Sequence, residues 1–423
     1  VSCSFGLLAN WVMMVQKKAR VLVILCLAQL GAMLIWYNFA AIVPILQTEW
    51  HMNNEQVGTI LSGFQLGYVI AVFFTGWLSD KTGGKLVFTI CSIQTGVASL
   101  GFIFFAHDYS SALLWRTLAG IGQGGLYVPG MHMLSAWYGP HERGRAIGIY
   151  TCSMVGAYAG AYYVAAPLAS FYSWQTAVFW TSVWAFLAAA LVHFALPAGT
   201  GTTGVMSSDI TEHKLRKSRS FIHNRAMWLV IGGYMGHMWE LYAFWGWVGT
   251  FSIYVLTIKG IENVTAIGYG GMIAASCILV GGLAPGLAGW MSDKYGRSIV
   301  AMVSLVISSC CAIIIGWLVW APLWLFLIVG LIYGFFIVAD SAVFKAGITE
   351  LVSLNHLGSA LGIQSVLGFG VTVLSPKIFG AILDTYGWGW AFVMLGIGPI
   401  AGSVCMLVLR QIPECRQMAG GKG

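Results

Sequence analysis

Long apolar runs separated by short polar stretches recur along the whole chain. A bilayer core of about 30 Å is crossed by about 20 helical residues. Runs of that length fall at 21–47, 57–79, 85–106, 111–136, 145–172, 175–196, 226–256, 265–291, 297–320, 323–349, 357–381 and 389–411. The pattern therefore predicts an all-α membrane protein with twelve transmembrane helices. Strand-type alternation is absent, so a transmembrane β-barrel is excluded. The longest polar stretch, about 198–225, carries Gly-Thr-Gly-Thr-Thr-Gly, then Ser-Ser-Asp and five basic residues. It reads as a linker between two six-helix bundles at 21–197 and 226–411, flanked by an N-terminal segment 1–20 and a tail 412–423.

Composition agrees and narrows the class. Charged residues make up 8% of the chain against 58% hydrophobic, where a soluble domain carries about 25% charged residues. The surface must face lipid. A formal charge of +7 raises the question of nucleic acid, but 17 of the 21 Lys and Arg fall in segments on one side once the N-terminus is placed inside, against Lys259 alone in an outside loop. Basic residues collect in cytoplasmic loops. Both termini and the linker are thus expected in the cytoplasm, the chain in a plasma or inner membrane, and nucleic acid is not a partner. Arg116, Lys345 and Lys377 instead lie within predicted spans. The nine Cys follow no disulfide or metal spacing, and His132 and His193 are isolated, so neither a metal site nor a cofactor is expected. Residues 1–13 lack a basic start and a cleavage site, and Met13 or Met14 reads as a natural beginning.

A repeat decides the architecture. Gly76-Trp77-Leu78-Ser79-Asp80-Lys81-Thr82-Gly83, between spans two and three, returns as Gly289-Trp290-Met291-Ser292-Asp293-Lys294-Tyr295-Gly296 between spans eight and nine. The same turn at the same place in each half marks a duplicated, parallel arrangement. These residues, with Lys85 and Arg297, resemble the major facilitator superfamily motif Gly-x-x-x-Asp-(Arg/Lys)-x-Gly-(x)-(Arg/Lys), with Gly84 a departure in the first half, where a basic residue is usual. The resemblance implies two pseudo-symmetric bundles. It also implies that Asp80 latches onto the start of span eleven, about 356–360, when the cytoplasmic side is shut, and that Asp293 does the same for span five near Arg145. The plainer alternative is a pair of well-anchored turns. The loop Trp137-Tyr138-Gly139-Pro140-His141-Glu142-Arg143-Gly144-Arg145 resembles that of family members carrying organic anions, with Glu142 and Arg143 either gate residues or a solvated turn.

Candidate chemistry sits in mid-span. Arg116, Gly120, Gln123 and Tyr127 share a helical face by spacing. That face points Arg116 into a central cavity, unless the side chain snorkels to the outer surface. Glu240 and Asp340 fall near mid-membrane, where a carboxylate is costly unless paired, hydrated or protonated. His237 precedes Glu240 by one turn, which makes the two a proton-exchanging pair or a static hydrogen bond that orders the helix. Lys345 lies close to Asp340 or snorkels. Tyr37, Asn38, Gln65, Tyr68, Trp239 and Tyr242, with Trp36 and Trp245, fill the expected binding level, although aromatic residues are 14% of the chain and many are packing.

The expected function is a monomeric secondary transporter, not an enzyme, that imports a small organic anion by alternating access coupled to protons. Sugar acids, monocarboxylates and inorganic anions all remain open. Proton-coupled efflux is the alternative, weakened because span five lacks the Gly-Pro that antiporters of the resembled family usually carry there. A transporter-like solute sensor is a third, and the short linker and tails offer it little contact surface.

Overall fold

The computed structural model describes residues 2–197, 221–353 and 356–423. Most of the expected linker, 198–220, lies outside the described residues. The N-terminal half contains α1 (Ser2–Met33), α2 (Ile35–Glu49), α3 (Asn54–Thr82), α4 (Gly84–Phe105), α5 (Tyr109–Gln123), α6 (Tyr127–Trp137), α7 (Pro140–Phe171) and α8 (Trp174–Ala195). In the C-terminal half come α9 (Arg225–Ile258), α10 (Asn263–Gly281), α11 (Ala284–Tyr295), α12 (Arg297–Ile315), α13 (Leu323–Ala339), α14 (Ser341–Leu351), α15 (Leu357–Thr372) and α16 (Ser375–Gln411).

Among the described residues, nine stretches are long and apolar enough to cross a membrane. One of them, Leu357–Gln411, holds 55 residues, about 80 Å of helix and more than twice a bilayer core. It leaves helical geometry at Gly387, where φ is +82°, and is long enough for two passages. The pair α5 and α6, and α7, fall outside the nine, yet α7 alone has 32 residues.

Five of the expected single helices are interrupted, at Leu34, at 124–126, at 282–283, at Asp340 and at 373–374. Proline accounts for three. Pro129, Pro285 and Pro376 have no N–H to offer the carbonyls of Gly125, Gly281 and Thr372 four residues earlier, so the ladder opens there. Leu34 and Asp340 have no such cause, and both breaks lie beside buried charge described below.

The two repeated turns have one backbone solution. Gly83 and Gly296 take φ of +91° and +104°, each ending one helix and starting the next, a conformation that only glycine adopts without strain. These turns define the motif end of the molecule, which α1 also approaches through Lys18, bonded to Glu142 at the start of α7. The halves pack chiefly through α7 against α10 and α3 against α16, with α2 touching α9.

Candidate functional site

The break at Leu34 is where a buried cation meets the backbone. Arg116 of α5, 3% exposed, donates from Nη1 to the Ile35 carbonyl and Asn38 Oδ1, and from Nη2 to the Trp36 carbonyl, each at 3.0 Å. Its guanidinium carbon lies 4.4 Å from the centre of the Phe64 ring, near enough for cation–π attraction. Gln123, two turns on, donates to the Ala32 carbonyl at 2.8 Å, an acceptor that the end of α1 leaves without a helical partner. Arg116 does not snorkel. Asn38 completes the arrangement by donating to Thr181 Oγ1 at 2.9 Å.

Arg116 still has an unused donor. Its Nε finds no partner, and neither do Trp36 Nε1, Tyr37 OH, Gln65 Oε1, Tyr158 OH and Trp245 Nε1, all buried. Trp36 neighbours Tyr37, and Tyr158 neighbours Tyr242, but neither pair reaches hydrogen-bond geometry. Buried polar atoms are ordinarily satisfied, so this concentration is unusual. Trp36, Tyr37, Leu61, Phe64, Gln65, Arg116, Tyr242 and Pro376 surround a cavity of about 10 Å³, room for about one water. Aromatic rings from both halves enclose it: the Trp36 ring centre lies 4.8 Å from Tyr68, 5.1 Å from Tyr158 and 5.9 Å from Tyr242. Phe369 closes the cage against Tyr68 and Tyr242 at 5.2 and 5.8 Å.

The acids of the C-terminal half are arranged differently from the expectation. His237 does not pair with Glu240. Its Nδ1 lies 2.8 Å from Asp340 Oδ1, both side chains 1% exposed, although the ring N–H is not aligned on that oxygen and the contact is not a hydrogen bond. Glu240, fully buried, accepts from Ser308 Oγ at 2.7 Å and from Tyr333 OH at 3.1 Å, which joins α9 to α12 and α13. Asp340 sits at the break between α13 and α14. Lys345, one turn into α14, is exposed, with Tyr127 of α6 and Tyr234 of α9 beside it. An exposed cation flanked by one tyrosine from each half marks a crevice between the halves.

That crevice opens toward the motif end. Asp80, its side chain 66% exposed, lies 3.3 Å from His132 Nδ1 in its own half, and Gly358 and Ser359 at the start of α15 are exposed. The expected latch to 356–360 is not engaged. Asp293 pairs with Arg297 rather than reaching toward Arg145, which is exposed. Arg297 also donates to Glu350 Oε1 at 2.8 Å, and residues 412–423 fold back over the turn: Ala419 N–H donates to Glu350 Oε2 at 2.9 Å and Lys422 Nζ to the Asp293 carbonyl at 3.0 Å.

The far end is shut. Asp384 of α16 accepts from Asn54 N–H and Nδ2 at 3.1 and 2.7 Å and from Glu55 N–H at 2.8 Å, capping the start of α3 across the two halves. Lys377 approaches Glu55 at 3.8 Å. A side chain at Gly58 or Gly380 would collide with the facing backbone of Pro376 or Asn54, so the helices meet there in direct contact.

The model of the Major Facilitator Superfamily matches residues 25–285 and 264–417. The chain belongs to the major facilitator superfamily. It is 23% identical over 375 residues to a hexuronate transporter of Bacillus subtilis (strain 168), covering 84% of this chain and 85% of that one. Similar identity, 23% over 407 residues, relates it to a D-galactonate transporter of Escherichia coli O6:H1 (strain CFT073), covering 88% and 90%. Among solved structures, a bacterial homologue of the human lysosomal transporter Spinster, inward-facing and unoccupied, superposes with a TM-score of 0.72 at 15% identity, covering 93% of this chain and 95% of that one. The likeness establishes the superfamily fold.

Within that fold the expected site residues divide. Arg116, Tyr37, Gln65, Tyr68 and Tyr242 converge on one cage. Asn38 and Gln123 brace it. Tyr127, beginning a new helix, bonds Thr151 at 2.9 Å and faces the crevice with Lys345. Trp239 turns away and donates to the Met394 carbonyl at 3.2 Å. Of the turn residues, Lys81 lies over the Trp77 ring at 4.0 Å, Lys85 donates to the Leu196 carbonyl at 2.7 Å, and Lys294 lies 5.2 Å from the Tyr295 ring. A side chain at Gly76 or Gly289 would have open space. Glu142 pairs with Lys18, while Arg143 donates to the Ser135 and Tyr138 carbonyls. Tyr158, Phe64, Phe369 and Asp384 were not expected. Tyr158 and Tyr162, one turn apart among the small residues of α7, carried a readable signal: large polar aromatics on an otherwise small-residue helix.

Proposed function

We propose that the chain is a secondary transporter that carries a small organic anion by alternating access, with protons as the coupling ion. One observation carries this reading: at the junction of the halves, a buried arginine and a set of unpartnered, mostly hydrogen-donating atoms surround a cavity, with a crevice on one side and a seal on the other. Donors without acceptors call for an acceptor-rich ligand, which is what an anion provides. The names of the sugar-acid transporters related to this chain point the same way. By the distribution of Lys and Arg the crevice faces the cytoplasm and both termini lie there. Binding would draw the halves together at the motif end, engaging Asp80 at the start of α15, while the contacts of Asp384 release.

The proton role goes to Asp340 with His237. The pair sits at a helix break between the halves' crevice and the C-terminal core, and either member can hold the proton that passes. Glu240, with both oxygens bonded to hydroxyls of its own half, ties α9, α12 and α13 together. One net positive charge moved inward through about 100 mV supplies about 2.3 kcal/mol, roughly 50-fold accumulation. The test is uptake of labelled organic anions into proteoliposomes with and without an imposed pH gradient. Accumulation that follows the gradient is the expected result. Uptake of anions that ignores the gradient would remove the proton role, and failure of every anion tried, with cations carried instead, would remove the anion as well.

A further inference from the structure

The polar inventory of the cage says more about the cargo than its sign. Three of its unpartnered atoms, Arg116 Nε, Trp36 Nε1 and Trp245 Nε1, can only donate. The hydroxyls of Tyr37 and Tyr158 can do either, while Gln65 Oε1, beside the cavity, and Gln123 Oε1, on the bracing side, can only accept. A carboxylate brings two oxygens with about four acceptor positions and no donor, and matches this set. A polyhydroxylated body does not match it, because each hydroxyl brings a proton that must find an acceptor or be buried at a cost of about 1–3 kcal/mol. The walls point in the same direction. The rings of Trp36, Phe64, Tyr68, Tyr158, Tyr242 and Phe369 face one another at centre-to-centre spacings of 4.8–5.9 Å, the range in which aromatic groups stack or meet edge to face. Tyr68 and Tyr242 lie toward Tyr127 and both touch Phe369, so a ring entering from the crevice meets aromatic surfaces first.

Resting on the reading of this cage as the cargo site of an anion carrier, we infer that the preferred cargo is a flat monocarboxylate with an aromatic or otherwise apolar body and at most one hydroxyl, in preference to a sugar acid. The carboxylate lies against Arg116 and Trp36, which line the cavity, with the indole of Trp245 supplied from beside Tyr37 and Tyr242. The cavity holds about one water, so admission requires rings now in contact to part, Phe369 from Tyr68 and Tyr242 and Tyr242 from Trp36.

The experiment is binding of benzoate, glucuronate and benzamide to the purified full chain, followed by thermal shift and by tryptophan fluorescence. Benzoate should bind at least tenfold more tightly than glucuronate, which has the same charge, and at least tenfold more tightly than benzamide, which has the same shape and no charge. If glucuronate matches or exceeds benzoate, the aromatic preference is overturned while the anion reading stands. If benzamide binds as well as benzoate, both are overturned; if none of the three binds, the aromatic preference is overturned and the anion reading rests on the uptake experiment. The Trp245→Phe variant keeps a ring and removes one donor; benzoate affinity should drop about tenfold, a loss read on folded protein whose unliganded melting temperature falls only by what the smaller ring costs in packing. An unaltered affinity in that variant overturns the assignment of the donor set to the carboxylate.

Discussion

Each half of the molecule buries charge near mid-span, opposite in sign and opposite in how it is satisfied. In the N-terminal half Arg116 is anchored by three hydrogen bonds yet keeps Nε unpartnered at the edge of a cavity. In the C-terminal half Glu240 has a hydroxyl donating to each of its two oxygens. The contrast separates groups that hold structure from groups prepared to bind. Full satisfaction rigidifies, whereas an anchored group with an unused donor pays its burial cost in advance and gains when a ligand arrives. Asp340 and His237, in contact but misaligned, fall between these extremes.

The most forceful way to break the comparison is at Arg116. Arg116→Met leaves two backbone carbonyls and Asn38 Oδ1 without their donor inside the bilayer, and should cost about 3 kcal/mol or more in stability, read as a lower melting temperature and poor recovery. Arg116→Lys is the informative companion. It keeps the charge but not the fork, so the chain should fold while anion uptake falls about ten- to hundredfold, the equivalent of one charged hydrogen bond. Uptake equal to the parent in a folded Arg116→Lys would mean that the guanidinium only braces α2.

A second experiment tests the C-terminal half against itself. Asp340→Asn removes a titrating group and should abolish pH-driven accumulation while exchange of labelled for unlabelled anion persists. Glu240→Gln keeps a shape able to bond Ser308 and Tyr333, and should preserve accumulation with about 1 kcal/mol lost in stability. Reversal of these two outcomes would return the proton role to Glu240.

At the far end, Asp384→Asn exchanges a carboxylate for an amide where three N–H groups of α3 converge. The site is near the surface, so the effect is discounted to about 1 kcal/mol, or a fivefold shift toward opening at that end. A Leu61→Cys reporter beside the cavity should then react about fivefold faster with a thiol reagent added from that side. An unchanged rate would show that backbone packing at Gly58 and Gly380 makes the seal alone.

Much of this arrangement could be read from the chain. Apolar run lengths, the doubled turn with Gly83 and Gly296, and the three proline-linked breaks are local properties that sequence records directly. Arg116 was readable as a buried functional group because a cation in mid-span needs a partner, but the partner, backbone carbonyls at Leu34, was not, since nothing about Leu34 marks a break. The pairing of His237 with Asp340 instead of Glu240 was hidden for a related reason. One helical turn suggests contact, and only the packing of α13 and α14 against α9 decides which acid arrives. The disengaged Asp80 was unreadable in principle, because a sequence that supports two conformations does not say which one is occupied.

The smallest expected effect concerns how the two charge-bearing regions begin. The helix α5 starts from Asp108, whose carboxylate accepts the Ser111 N–H and hydroxyl in a capping box. Its counterpart α13 starts after Pro322 with no side-chain cap. Hydrogen bonds from the Ser111 side chain, then from its backbone, hold the Asp108 carboxyl below the usual carboxylate range. A carboxylate with a folded-state pKa depressed in this way contributes stability above its unfolded pKa, near 3.9, and loses that contribution as pH falls through the lower folded value. The N-terminal half should therefore show an acid-sensitive component below about pH 4. Asp108→Asn, which retains an accepting oxygen for the Ser111 N–H, should remove that component while leaving neutral-pH melting almost unchanged. Asp108→Ala should lower the neutral-pH melting temperature because the cap itself is lost. Hydrogen exchange at Ser110 and Ser111, followed between pH 3 and pH 6, localises the effect to this end of α5. A pH dependence that survives in Asp108→Asn would assign the acid sensitivity elsewhere and leave Asp108 a plain cap, no different in kind from the neutral start of α13.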